Sequence, residues 1–338
     1  VFWKRRKRAG ENGGGRSAES LFAEIEQLER ENRESPSPER ERRILRLRHE
    51  AGSRMVLDPD RPGTPVQADP ARISRDGDLP AVAPEELSAE TVRAGILDSG
   101  CLLIRGFISS EDAEALGAQI ERAVEAREAQ QAGAPAEAGY YEEFVPEPPF
   151  SAPAGREWVS SSGVWAADSP RLMFEMTEAF ERFGLRNLVT AYMGERPALS
   201  VQKCTMRRVT PDAGNSGWHQ DGAFLGDVRA LNVWLCLSRC GEDAPGLDLV
   251  PRRLEEIVPT GTDGATFDWS VSPKVVEEVA GDLPVVRPRF EPGDMLLFDH
   301  LFLHKTAAST DMPNSRYAVE SWFFSPSAFP DDYVPIAY

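Results

Sequence analysis

From residue 199 onward the chain is a succession of short apolar segments, residues 199–209, 230–238, 247–251, 285–290, 295–304 and 316–324, divided by breaks rich in Gly, Pro and Asp. Short strands in unbroken succession close into a β-barrel or stack as a sandwich. Within residues 230–238, Leu231, Val233, Leu235 and Leu237 form one apolar face. Asn232, Trp234, Cys236 and Ser238 form the other, because successive side chains of a strand point to opposite sides. A mixed face of that kind suits a functional interior. The longest apolar runs, residues 230–237 and 295–298, fall far short of the roughly 18 residues that span a bilayer, so no membrane crossing is expected. A chain of 338 residues with 41% hydrophobic residues and seven Trp has enough apolar material for a sizeable core.

The first third reads differently. Residues 18–33 and 38–50 have helical periodicity, with Leu21, Phe22, Ile25 and Leu28 on one face and Pro36 and Pro38 between the two segments, which predicts a charged helical hairpin. Residues 52–86 are rich in Pro, Asp, Arg and Gly and read as an extended linker that wraps the main domain. The resulting division is a charged helical extension over 1–55, a linker or wrapping segment over 56–88, and a main domain over 89–338. That domain opens with a helix over 89–99, a strand over 101–107, and a second helix after Ser109, where Ser109 and Asp112 suit a capping box. Residues 127–163 hold Tyr140, Tyr141, Phe144, Phe150 and Trp158, too aromatic for a bare linker, and read as a lid or substrate loop. A single helix is expected over 170–192.

Charge bounds the partners. The formal net charge is −17, and residues 1–55 carry 14 Lys/Arg against 10 Asp/Glu, leaving the rest of the chain at −21. An acidic body repels phosphates, which speaks against a nucleic-acid partner. Lys4, Arg5, Arg6, Lys7 and Arg8 imitate the start of a signal peptide, but a Gly/Glu stretch stands where an apolar segment should follow, so no export signal is expected. Cys101, Cys204, Cys236 and Cys240 form no CxxC pair, and three of them sit in apolar strand-like segments that suit reduced core thiols of a cytoplasmic protein. Nothing in the sequence assigns an oligomeric state.

Only four histidines occur, and three lie in two segments, Trp218-His219-Gln220-Asp221 and Asp299-His300-Leu301-Phe302-Leu303-His304. On extended backbone His219 and Asp221 share a face and can converge on one ion. A histidine from a distant strand completes two His and one carboxylate, the set that holds non-haem Fe(II) on one side and leaves positions open. His304 is followed by Thr306 at +2 and Arg316 at +12, after an Asp311/Pro313/Asn314 turn signal. A histidine strand beside an arginine strand lets the guanidinium grip a carboxylate near the metal, with the Thr hydroxyl adding a hydrogen bond. On one extended strand His300 and His304 face the same side about 13 Å apart, so one ion cannot take both. Only His304 has the hydroxyl and the arginine at those offsets, and it is the expected ligand. Lys203 and Arg207 share the face of Thr205 and meet either an acidic group of a substrate or co-substrate, or structural partners.

These segments, spread over residues 96–326, resemble the phytanoyl-CoA dioxygenase family of Fe(II)/2-oxoglutarate-dependent oxygenases. Gly100-Cys-Leu-Leu-Ile-Arg-Gly-Phe-Ile-Ser-Ser looks like the family's opening strand and helix start, and Trp218-His-Gln-Asp like its first metal motif. Gly246-Leu-Asp-Leu-Val-Pro looks like its mid-domain strand and turn, and Gly293-Asp-Met-Leu-Leu-Phe-Asp-His-Leu-Phe-Leu-His-Lys-Thr like its distal segment. The resemblance implies a mainly β fold with flanking helices, a double-stranded β-helix (jelly roll, cupin-like). It implies His219, Asp221 and His304 as iron ligands and catalytic residues, Arg316 and Thr306 as the clamp for the distal carboxylate of 2-oxoglutarate, and Trp234 and Thr205 as walls of that pocket. Fe(II), 2-oxoglutarate and O₂ are the implied cofactor and co-substrates, with hydroxylation of an unactivated C–H bond of a small organic molecule as the expected reaction.

Desaturation, epoxidation or cyclisation use the same site. A halogenase of this type has Gly or Ala where Asp221 stands. A non-catalytic jelly roll that interacts through its N-terminal hairpin is the alternative of another class. Two departures matter: Arg252-Arg253-Leu254 replaces the family's Gly-Ser-His, and residues 158–168 contain no lysine to assist 2-oxoglutarate binding. Phe267 and Trp269, within 262–283, hint at an apolar or ring-bearing substrate.

Overall fold

Ser17 and Ser37 each open a helix by accepting a hydrogen bond from the backbone N–H three residues on, starting α1 (Ala18–Glu34) and α2 (Pro38–Leu57). The computed structural model describes residues 16–64, 66–214 and 216–338; the basic run Lys4–Arg8, and with it the expected absence of an export signal, lies outside the described residues. The hairpin forms as expected, but it is not a loose extension. Leu21, Ile25, Ile44 and Leu47 are buried with Phe174 and Ala337 of the body. Arg48, 1% exposed, pairs with Glu29 and donates to the Ala337 carbonyl. An arginine is buried this deeply only where its donors are matched.

The remaining helices are α3 (Ala89–Ser99), α4 (Ser110–Gln131), α5 (Arg156–Ser160), α6 (Pro170–Arg182), α7 (Leu185–Met193), α8 (Gly222–Leu225) and α9 (Pro273–Ala280). The strands are β1 (Arg75–Asp76), β2 (Leu79–Val82), β3 (Cys101–Ile104), β4 (Gly163–Trp165), β5 (Ala198–Val209), β6 (Ala230–Cys236), β7 (Gly246–Leu249), β8 (Met295–Phe298), β9 (His304–Ala307), β10 (Arg316–Phe324) and β11 (Pro335–Ala337). The main sheet runs β1-β2-β3-β8-β6-β10-β5-β11, with β4 also on β5. Among the described residues only β2 and β3 pair in parallel. A second sheet joins β7 to β9 and is extended by bridges between His219 and His304, Trp218 and Val271, and Leu249 and Val286. The fold is the expected jelly roll with flanking helices.

Strand alternation divides the core as read from residues 230–238. Val233, Leu235, Leu297 and Val319 pack outward against Ile96, Ile120, Met176 and Val189 of the helices. Trp234, Cys236, Leu296, Phe298 and Trp322 point inward against Leu247 and Leu249 of the second sheet. Among the described residues no helix is long and apolar enough to cross a membrane. All four cysteines are free and buried.

Several local expectations are corrected. Residues 79–82, read as linker, form β2 in the main sheet. The opening strand ends at Ile104 instead of 107. Ser109 caps α4, but its hydroxyl donates to the Asp112 carboxylate, so the reciprocal half of the box is missing. The helix over 170–192 is two helices, because Gly184 takes a left-handed φ of 74° between them. Residues 285–290 make only isolated bridges. Tyr140 and Phe144 of the supposed lid are core residues, with Phe144 and Phe150 edge-on to His49 of α2 at 5.4 and 5.7 Å. The largest change concerns residues 295–304. The strand stops at Phe298, and Asp299 turns the chain by accepting from Leu301 N at 3.0 Å before β9 starts at His304.

Candidate active site

His304 N donates to His219 O at 3.1 Å and His219 N to His304 O at 3.0 Å, which sets the two imidazoles side by side with ring centroids 4.5 Å apart. Asp221 does not reach them by strand alternation. Its backbone is already helical, at φ −60° and ψ −27°, and begins α8. That turn swings the carboxylate over the histidine pair, so that one ligand atom from each of His219, Asp221 and His304 lies within 4.8 Å of the others. The turn needs glycine at 222, since a Cβ there would sit 2.7 Å from Ile257 Cδ1 and 2.8 Å from His300 Cδ2. His300 lies on the turn before β9 and is not one of the converging group.

Hydrogen bonding fixes which nitrogen each histidine offers. His219 Nδ1 donates to Gly217 O at 2.9 Å and His304 Nδ1 to Phe302 O at 3.1 Å. A carbonyl only accepts, so Nδ1 carries the proton and Nε2 is left as the donor atom for a metal. Burial, with His219 alongside, pushes the His304 imidazole down to about 4, keeping it neutral near pH 7. Burial works to raise the Asp221 carboxyl, but Lys203 and the two histidines outweigh it and hold it at about 2. Lys203 Nζ stands 2.7 Å from Asp221 Oδ1, while Oδ2 lies 3.8 Å from His304 Nε2. Two imidazoles whose Nδ1 is tethered to a carbonyl, beside an ionised carboxylate, match the donor chemistry of an Fe(II) site.

Arg316 on β10 is 2% exposed, with Nη1 donating to Gly246 O at 2.9 Å and Nε without a partner. It has no ion pair among the described residues. A buried guanidinium with a spare donor and no counter-charge fits a site for an anion, here the carboxylate of 2-oxoglutarate. Trp234 lies 5.5 Å from this guanidinium. Thr205 pairs across β10 with Glu320, and Glu320 with Trp234, which puts Thr205 and Trp234 in one cross-strand row of the inner face. Thr306 pairs with Leu247, next to the Gly246 that receives Arg316. Arg207 is matched by Glu320 at 2.8 Å and Arg208 by Glu121 and Glu128, so of the three cations on β5 only Lys203 pairs with Asp221.

A model of the family described as phytanoyl-CoA dioxygenase (PhyH) matches residues 97–316. The chain belongs to the phytanoyl-CoA dioxygenase family. As a member it is an Fe/2-oxoglutarate-dependent oxygenase, an oxidoreductase that uses iron and 2-oxoglutarate. None of the curated proteins matches the sequence. Among solved structures it is similar to EctD from S. alaskensis with 2-oxoglutarate and 5-hydroxyectoine, at 17% identity over 78% of this chain and 82% of that one, with a TM-score of 0.51. SnoK, a non-heme alpha ketoglutarate dependent carbocyclase from nogalamycin biosynthesis, is 16% identical over 76% of this chain and 99% of its own, with a TM-score of 0.48. AviO1 from Streptomyces viridochromogenes Tue57 is 18% identical over 72% and 98%, with a TM-score of 0.45. At 17% identity the likeness to EctD speaks for the fold alone.

In this phytanoyl-CoA dioxygenase family member, three supports of the site escaped the sequence reading. Gln220, fully buried, donates to Leu301 O at 2.6 Å and Glu256 O at 3.1 Å and accepts from Val258 N at 2.8 Å. It ties the His219-x-Asp221 turn to both neighbouring loops. Arg253, part of the departure from the family pattern, pairs with Asp299 and holds the turn that delivers His304. The third is the Lys203 contact with Asp221. Two signals were visible: the amide placed between two candidate ligands, and the alternation that puts Lys203 on the face of Thr205, which left its partner open.

Proposed function

We propose that this oxygenase hydroxylates an unactivated C–H bond of a small organic molecule, with His219, Asp221 and His304 holding Fe(II) and Arg316, helped by Thr306, holding the distal carboxylate of 2-oxoglutarate. Trp234 and Thr205 wall the co-substrate pocket. The observation that carries this reading is the convergence of two Nδ1-tethered histidines and one ionised carboxylate, all on the inner side of the jelly roll. With O₂, bound iron supplies oxidising power by converting 2-oxoglutarate to succinate and CO₂. The protein's part is placement: the backbone carbonyls of Gly217 and Phe302 orient the imidazoles, Lys203 orients Asp221, and burial of Asp221 and His304 excludes water. A carboxylate at 221 leaves no room for a halide ligand. The docked hairpin, whose apolar face is covered by the body, disfavours an interaction protein that works through that element.

We assign the oxygenase unit to residues 89–338, with residues 1–55 and 56–88 as its N-terminal cover, and place the protein in the cytoplasm on the strength of its four buried free thiols. Reconstitution with Fe(II) under nitrogen, followed by O₂ uptake and succinate assays over a panel of small molecules, tests the reaction. The expected product contains one added oxygen from O₂. No succinate from iron-loaded protein would overturn the oxygenase reading, and a product lacking two hydrogens would replace hydroxylation by desaturation or ring closure.

A further inference from the structure

Large apolar side chains are seldom left in water without a reason, and here they gather around the metal-ligand group. Among the described residues eight large hydrophobics are exposed, and three of them, Phe224 (40%), Phe267 (39%) and Ile257 (37%), stand at its mouth. Phe224 sits one turn beyond Asp221, its N–H bonded to Asp221 O at 3.1 Å. Its ring lies 6.3 Å from His219 and 6.5 Å from Trp269. Trp269 is edge-on to His219 at 5.7 Å and stacks on Phe267 at 5.0 Å and 5°. Ile257 abuts Gly222. Rings at this spacing form one wall that begins at a metal ligand and ends at the surface.

The wall is fixed in place. Gly261 N bonds to Ser270 O at 2.9 Å, and Phe267 N to Ser270 Oγ at 2.8 Å, closing the loop that carries Phe267 and Trp269. The bridge from Trp218 to Val271 then joins that loop to the ligand strand. Ile257 is held by the bond from Val258 N to Gln220. An aromatic wall kept rigid in this way loses little entropy on binding.

A charge is set beside the rings. Lys203 Nζ lies 4.2 Å from the centre of Phe224, and only one of its three donors is taken by Asp221. Once Asp221 shares its charge with a metal, Lys203 is left with excess positive charge facing the aromatic rim. We propose, resting on the oxygenase reading above, that the substrate is a ring-bearing carboxylate, its flat apolar body against Phe224, Trp269 and Phe267 and its anionic group on Lys203. The ammonium repels a cationic substrate, and the exposed rings favour a planar body over a flexible polar one.

Isothermal titration under nitrogen tests this on the full chain, both metal-free and loaded with Fe(II) and 2-oxoglutarate. The probes are 1-naphthoate, 2-naphthoate and 4-biphenylcarboxylate, each beside the matching primary alcohol. At least one carboxylate saturates the loaded protein and binds about tenfold more tightly than its alcohol. Trp269→Ala weakens acid and alcohol alike by about fivefold. Lys203→Met removes the preference for the acid, and Lys203→Arg restores it; a ratio within one variant is insensitive to partial unfolding or metal loss. Equal binding of acid and alcohol, a preference that survives Lys203→Met, or no saturable binding by any carboxylate overturns the proposal. Carboxylate binding without 2-oxoglutarate turnover keeps it and overturns the oxygenase reading, while turnover without carboxylate binding does the reverse.

Discussion

Lys203 Nζ lies 2.7 Å from Asp221 Oδ1, on the side of the carboxylate opposite the atom that faces His304. One oxygen is tethered and the other is left to bind metal. Groups that orient a metal ligand typically cost about 10–100-fold in affinity when removed. Lys203→Met is therefore expected to weaken Fe(II) binding by about tenfold or more, with circular dichroism unchanged. Competitive titration against a chelator measures it, and unaltered affinity would detach Lys203 from the metal site.

Among the described residues Arg316 has a free donor and no counter-charge in its burial. Replacement by Lys keeps the charge but loses the planar fork. With a charged hydrogen bond contributing about 1.5–3 kcal/mol, Arg316→Lys should raise the dissociation constant of 2-oxoglutarate by about tenfold to a hundredfold. Equilibrium binding to the Fe(II) protein under nitrogen checks it, and an unchanged constant would remove Arg316 from the co-substrate site.

His304 converges with His219 and Asp221, and His300 does not. His304→Ala should abolish stoichiometric Fe(II) binding, whereas replacement of His300, whose Nδ1 has no hydrogen-bond partner among the described residues, by Ala should retain it. Metal content after gel filtration decides, and retention by the first variant with loss by the second would reverse the assignment.

His49 donates from Nδ1 to Pro335 O at 2.8 Å and accepts at Nε2 from Glu147 N at 3.1 Å, a pattern open only to the neutral ring. Burial lowers its pKa from 6.5, despite the neighbouring carbonyl and Glu147. The unfolded chain thus takes up this proton first as pH falls. Stability contributed by the neutral ring is full above about pH 6.5 and declines as the pH drops from there toward the lowered folded value. Melting temperatures between pH 7.5 and 5 should fall more steeply for the native protein than for His49→Gln. Parallel curves would remove His49 from the acid response.

Removing residues 1–57 strips Phe174 and Ala337 of their apolar cover and the Ala337 and Pro335 carbonyls of Arg48 and His49. Covering a large apolar side chain contributes about 1.5–3 kcal/mol, a sizeable part of a domain's net stability. The shortened chain should lack a cooperative thermal transition or melt far below the full one. A native-like melt with intact iron binding would show that the hairpin is dispensable.

Residue type and local period were enough to read the long strands β5, β6 and β10, the inner and outer faces of β6, the hairpin and the candidate ligands, because each depends on neighbours a few positions apart. Residues 295–304 were not legible in the same way. An apolar strand and an apolar buried turn have similar compositions, and the choice rests on the Asp299 side chain turning back on Leu301 N and on Arg253, 46 positions away, pairing with it. Asp221 shows the same limit: His-x-Asp suggests a strand, yet contact of Gly222 with His300 and Ile257 accompanies a helical start. The docking of α2 on β11 joins residues separated by almost the whole chain. Local pattern determines which chemistry the chain carries, and long-range packing decides where each group points, since hydrogen bonds and close contacts between distant segments leave no periodic trace.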